Sequence, residues 1–126
     1  MTNAPEHSTV AVLGASPKED RYSFKAVRML KEHHHRPIPV HPAGHTVDGI
    51  PGLKSLDEIR GSVHTVTCYV NAAISDGEFD RIVALKPKRV IFNPGAENEN
   101  LAVRIEEAGI EVVRACTLVM LRTGQF

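Results

Sequence analysis

The residues best placed to do chemistry lie in one short segment, Gly14-Ala15-Ser16-Pro17-Lys18-Glu19-Asp20-Arg21. It follows an apolar, β-branched run, Thr9–Gly14, and precedes a stretch with helical spacing. A glycine at a strand end lets the backbone turn sharply, and small neighbours let an anion approach main-chain N–H groups. The start of the next helix adds partial positive charge. Ser16 offers a hydroxyl, and Lys18 and Arg21 offer full charges. Together these residues read as a cradle for a diphosphate. The competing reading is an ordinary strand-to-helix turn with surface charges.

The segment departs from the three-glycine dinucleotide fingerprint, with Ser16 at the second glycine position and Glu19 at the third. The second strand should then end in Asp or Glu to hold a ribose hydroxyl, whereas it ends in His41-Pro42. Both departures disfavour NAD.

Other candidates carry weaker signals. His33, His34 and His35 are consecutive, so a helix would splay them about 100° apart instead of converging them on a metal. They read as the solvated end of the first helix. Cys116 follows Arg114 and opens a short helix, a setting that lowers thiol pKa, so it is a candidate nucleophile or redox partner. Cys68 sits within an apolar strand and reads as packing. Asp57, Glu58, Asp76, Glu97 and Glu99 fall at helix starts, where carboxylates stabilise the helix without catalysis. Asn71 and Asn93 lie at strand ends, as ligand contacts or as turn formers.

The elements that must position these residues alternate. Strands are expected at Thr9–Gly14, Ile38–His41, His64–Val70, Lys88–Phe92 and Ile110–Val113. Helices are expected at Tyr22–His34, from a Ser75–Glu78 capping box carrying Phe79, Ile82 and Val83 inward, at Glu97–Glu107 with Leu101, Ala102, Ile105 and Ala108 on one face, and at Cys116–Leu121. Ser55–Ile59 reads as one helical turn, and His41–Gly52 as a long loop. Such alternation implies right-handed βαβ units and a Rossmann-like α/β sandwich with a five-stranded, mainly parallel sheet. Ligands then bind beyond the carboxyl ends of the strands.

Bulk properties exclude several classes. The chain has 126 residues, enough for one domain, expected at 9–126 behind a mobile segment 1–8. Fifteen basic residues balance fifteen acidic ones, and aromatics are limited to four Phe and two Tyr. Neither a nucleic-acid footprint nor a stacking platform is present. No apolar run approaches the roughly 20 residues of a membrane span. Two cysteines suit a reduced, cytoplasmic chain.

The GAS loop, the strand IPVHP, the DGIPGLKSLDEI stretch and the ACTLVMLRTGQF ending resemble small stand-alone CoA-binding-domain proteins, relatives of the CoA-binding domain of the succinyl-CoA synthetase α subunit. The resemblance runs from about Thr9 to Phe126. It implies that coenzyme A or an acyl-CoA is held by its 3′-phospho-ADP end, with no catalytic domain in the chain. The phosphate loop then falls on Gly14, Ala15, Ser16, Lys18 and Arg21. The adenosine side falls near His41 and Pro42 with Val70 and Asn71, and the pantetheine side on Phe92, Asn93 and Pro94. The synthetases place a lysine after the proline that ends the second strand, where this chain has Ala43-Gly44; Arg21 or Lys25 serves the 3′-phosphate instead. The alternatives are thiol-redox or CoA-disulfide chemistry at Cys116, an NAD(P)-binding oxidoreductase-like domain, or a module whose protein partner supplies catalysis.

Overall fold

A computed structural model describes residues 3–126. Five strands form one sheet: β1 (Thr9–Leu13), β2 (Arg36–Val40), β3 (Thr65–Cys68), β4 (Arg89–Phe92) and β5 (Glu111–Arg114). Their order is β2-β1-β3-β4-β5, and every neighbouring pair is parallel. Helix α1 (Tyr22–Glu32) connects β1 to β2, α2 (Ala72–Ser75) and α3 (Phe79–Leu85) connect β3 to β4, α4 (Glu99–Glu107) connects β4 to β5, and α5 (Thr117–Arg122) follows β5, with 3-10 turns at Leu56–Glu58 between β2 and β3 and at Asp76–Glu78. The fold is the Rossmann-like α/β sandwich expected. Among the described residues no helix is long and apolar enough to cross a membrane.

The strands read as continuous apolar runs because both faces of the sheet are covered. Val10 and Val12 of β1 pack with Phe24, Val27 and Leu30 of α1 and with Met120 and Leu121 of α5. Ala11 and Leu13 point the other way, into the cluster that holds Ile82, Leu101 and Ile105. Each such Leu, Ile, Val or Phe contributes roughly 1.5–3 kcal/mol on burial. β2 is an edge strand, which is what admits Pro37 and Pro39.

Three local expectations are corrected. Helix α1 ends at Glu32, not His34, and His34 adopts a positive φ of 66°. The three histidines therefore diverge, and half-buried His35 lies against Phe126 with ring centroids 5.1 Å apart. Ser75 does not cap a helix. Its backbone is already helical, and its buried hydroxyl accepts from Asn98 Nδ2 at 2.9 Å. The cap moves back to Asn71, whose Oδ1 accepts the Ile74 N–H at 3.0 Å. Ala108 is the exposed cap residue of α4 instead of part of its apolar face.

The loop after β2 is more ordered than its Pro and Gly content suggests. Val47 and Ile50 exchange backbone hydrogen bonds around Asp48-Gly49, both at positive φ, as a two-residue hairpin turn requires. Asp48 then ties the loop to α1, through Arg28 Nη2 at 3.0 Å and Lys31 Nζ at 2.8 Å. Both cations hold its carboxyl below the usual range.

Of the N-terminal segment 1–8, residues 1 and 2 lie outside the described residues. The remainder hydrogen-bonds the chain's far end: Ala4 N–H donates to Phe126 O at 2.6 Å, and Asn3 Nδ2 to Gly124 O at 2.8 Å.

At the amino edge of the sheet, buried Arg89 donates Nε–H to Thr65 Oγ1 at 2.9 Å and Nη2–H to Phe126 O at 3.2 Å. His64 Nδ1 lies 2.8 Å from the same Thr65 hydroxyl. Burial, with Arg89 close by, lowers the pKa values of both His35 and His64. Depressed histidine values mean that the unfolded chain binds more protons. Stability is thus full above about pH 6.5 and is lost as pH falls below it, toward the folded-state values. Urea midpoints should drop between pH 7.5 and pH 5.5, and this decrement should shrink in His64→Gln.

Candidate functional site

In a β2-β1-β3-β4-β5 sheet, winding reverses between β1 and β3, and the loops leaving those strands diverge to open a crevice. Gly14 ends β1 there at φ +89°, and a Cβ on it would lie 2.6 Å from Val70 Cγ1 and 3.3 Å from the Tyr69 carbonyl carbon. Only glycine lets the two strand ends approach this closely.

The loop beyond Gly14 is pinned by its own hydrogen bonds. Gly14 and Ala15 N–H donate to Val40 O at 2.8 and 3.2 Å, Ser16 N–H to Ser23 Oγ at 3.0 Å, and Lys18 N–H to Ser16 Oγ at 3.1 Å. The amides expected to cradle an anion are therefore spent, and Ala15 is fully buried. Available donors lie one step on. The hydroxyls of Ser16 and Ser23 each accept an amide, which leaves both hydrogens free to donate. The first-turn amides of α1 precede its first intrahelical bond, Lys25 N–H to Arg21 O, and this N-terminus carries no side-chain cap and no acidic residue.

Two cavities open at this corner. One, of about 280 Å³, is lined by Gly14, Ser16, Arg21 and Ser23 on the β1 side and by Gly95 and Ala96 on the β4 side. The other, of about 310 Å³, reaches Lys25, Asn93, Cys116, Leu118 and Arg122. Tyr22, Tyr69 and Pro94 line both, so the cavities are neighbours along one groove. Arg21, Lys25 and Arg122 are its charged residues, and none of its lining is acidic. The groove thus suits an elongated anion.

The structure separates the sequence candidates. Gly14, Ser16, Arg21, Lys25, Asn93 and Pro94 come together around the groove. Lys18 is exposed and lines neither cavity. His41 and Pro42 sit at the end of β2, beyond both cavities; His41 Nδ1 accepts the Ala43 N–H at 3.0 Å. Val70 packs on Gly14, and Asn71 is the α2 cap. The Phe92 side chain is buried in the core and presents nothing to either cavity. Asn93 is an internal clamp: Nδ2 donates to Thr67 Oγ1 at 2.7 Å and Cys68 O at 2.9 Å, and Oδ1 accepts the Thr117 N–H at 2.8 Å.

Tyr22, Gly95 and Ala96 lie in strand-end loops where the sheet rule puts a ligand, whereas sequence reasoning missed Ser23, Tyr69, Leu118 and Arg122 as lining residues. The third strand was read through Val70, although β3 stops at Cys68, which hid Tyr69 inside a strand. Its phenolic oxygen is buried beside the hydroxyls of Thr67 and Thr117. Burial pushes this phenol well above the ordinary tyrosine range, so it remains a proton donor. Both cysteines are free; Cys116 is the half-buried residue before α5, while burial pushes the Cys68 thiol up to about 11. Among the described residues no three metal-ligating side chains converge.

A family model described as the CoA binding domain matches residues 8–122. The chain belongs to the CoA-binding domain family. This is the family that the GAS, IPVHP and DGIPG segments resembled. Among solved structures, an uncharacterised protein is 44% identical over 97% of this chain and 100% of its own, with a TM-score of 0.90. A Thermus thermophilus protein is 27% identical over 95% of this chain and 91% of its own, with a TM-score of 0.86. A dinucleotide-forming acetyl-coenzyme A synthetase from Candidatus Korarchaeum cryptofilum, solved with phosphate and ADP, shares the fold at 19% identity and a TM-score of 0.74; the match spans 87% of this chain and 26% of the synthetase.

Proposed function

We propose that the chain binds coenzyme A or an acyl-CoA along this groove, as a binding domain without a catalytic residue of its own. The diphosphate lies against the first turn of α1, with the Ser16 and Ser23 hydroxyls and Arg21 as its partners. The adenosine end lies toward His41, Pro42 and Val70, and pantetheine runs past Pro94 toward Cys116. One observation carries the reading: an uncapped helix start, two unspent hydroxyls and an arginine line one cavity at the β1–β3 crevice. Family membership supports the same ligand.

Titration calorimetry with CoA, dephospho-CoA, NAD and NADP tests this. CoA should bind tightest; tighter binding of either dinucleotide overturns the reading. Charge-assisted phosphate contacts are worth roughly 1.5–3 kcal/mol, so Arg21→Ala should weaken CoA about tenfold. Its melting temperature should hardly move, because Arg21 is exposed and its ion pair to Asp20 is 4.0 Å long. Lys18→Ala should have the smaller effect on affinity, since Lys18 stands outside both cavities.

The position of Cys116 favours a second reading, thiol–disulfide exchange. Its thiolate would attack one sulfur of CoA disulfide, forming a protein–CoA mixed disulfide and releasing CoA thiolate. Intact mass after incubation with CoA disulfide decides it, and no adduct at Cys116 removes it.

A further inference from the structure

The end of the sheet remote from the groove carries a basic cavity. It opens where β1, β3 and β4 begin and has a volume of about 570 Å³, larger than either cavity of the groove. His7, Ser8, Ser62, His64, Lys86 and Lys88 supply its polar lining, and no acidic side chain lines it. The sheet sets two of these side by side. His64 N–H donates to Thr9 O and Lys88 N–H to His64 O, both at 2.9 Å, so His64 and Lys88 stand next to each other at the start of β3 and β4. Among the described residues neither lysine forms an ion pair. The Gly61, Ser62 and Val63 N–H groups, in the loop that lines the cavity, find no acceptor among them either. Lys86 is the least expected residue here. It ends α3 in the left-handed conformation, at φ 51° and ψ 52°, where glycine is the stable choice. His7 also holds a positive φ, of 62°. Two side chains are thus kept at a backbone cost on the wall of one cavity, a pattern typical of ligand clamps.

We propose that this cavity is a separate anion site, which takes a small phosphate-type dianion between Lys86, Lys88 and His64. It lies at the opposite end of the strands from the groove, so it stands whether or not the groove binds CoA. A dianion there gives both lysines a counter-charge and offers acceptors to the Ser62 hydroxyl and the loop amides. It also reverses the field on His64. Burial, and then the charges of Arg89 and Lys88, lowers the His64 pKa, with Glu111 opposing them. A negative charge beside the imidazole favours its protonated form. The rival account of Lys86 is a cation set against the carboxyl end of the α3 dipole. That account needs no left-handed lysine and predicts no response to phosphate at His64.

Inorganic phosphate is the probe, titrated against chloride at constant ionic strength while the imidazole signals are followed by NMR. The His64 signals, assigned by their loss in His64→Gln, should shift saturably with a dissociation constant of about 1–10 mM, and the His64 pKa should rise. Exposed cations limit each contribution, so Lys88→Gln should weaken phosphate about threefold. Lys86→Gly should weaken it as much while raising the melting temperature by about 3 °C, because glycine relieves the left-handed cap. Arg21→Ala should leave the His64 response intact. An equal shift with chloride, or a shift that never saturates, overturns the proposal. Unchanged phosphate affinity in both lysine variants also overturns it, since Lys86 would then be only a misfit cap. So does a His64 response that disappears in Arg21→Ala, because the signal would then report the groove.

Discussion

Gly14→Ala is expected to lose both stability and ligand affinity. The added Cβ would meet Val70 Cγ1 at 2.6 Å, with the Tyr69 carbonyl carbon and Val70 nitrogen each at 3.3 Å, while φ stays at +89°. Valine is stiff at χ1, and the backbone atoms belong to the neighbouring strand end, so the chain must move at Gly14. The strained φ and the overpacking together should cost about 2–4 kcal/mol in urea unfolding. Any movement there also displaces Ser16 and the start of α1, so CoA affinity should fall by more than the tenfold expected of Arg21→Ala. A variant that melts like the parent and binds CoA normally would show that the approach of β1 to β3 plays no part in shaping the groove.

Asn93→Ala has the second large expected effect, and here stability dominates. Three buried groups bond this amide: the Thr67 hydroxyl, which keeps the Thr117 hydroxyl at 2.7 Å, the Cys68 carbonyl, which keeps the residue 93 N–H at 3.4 Å, and the Thr117 N–H, which loses its acceptor. Leaving buried partners unsatisfied costs about 1–3 kcal/mol each, and some relief will come from water entering through the adjacent cavity. A net loss of about 3 kcal/mol, or roughly 10 °C in melting temperature, is the expected result. The Thr117 N–H belongs to the first turn of α5, so the loss should also loosen Cys116 and Leu118 in the cavity wall. Accelerated amide exchange in α5 would register it, whereas parent-like stability would contradict the clamp.

The fold was legible because sheet and helix periodicities do not overlap here. Runs such as TVAVL and RVIF, buried on both faces, contrast with the three- and four-residue spacing of Phe24, Val27 and Leu30. What sequence could not separate was a helix start from residues that merely have its spacing. Ser75 and Glu78 match a capping box, but Asn71 lies earlier with an extended backbone and takes the cap. In the groove, Gly14, Ser16 and Arg21 were identifiable as strand-end residues, whereas the fate of each amide was not. Whether Gly14 and Ala15 N–H face a ligand or Val40 O depends on where β2 docks, twenty-five residues away in the chain. Phe92 misled for a related reason: the last residue of a buried strand still points into the core.

β2 lies at one border of the sheet and carries prolines at two of its five positions. The N–H groups of alternate residues leave a strand on the same side, and Arg36 N–H turns inward to Ser8 O, so positions 37 and 39 face outward. Neither has a hydrogen to offer there. The Pro39 carbonyl, which also faces outward, is already occupied by Leu53 N–H at 2.9 Å. A strand from a second molecule would find almost nothing to pair with along this border, which guards the protein against edge-to-edge aggregation.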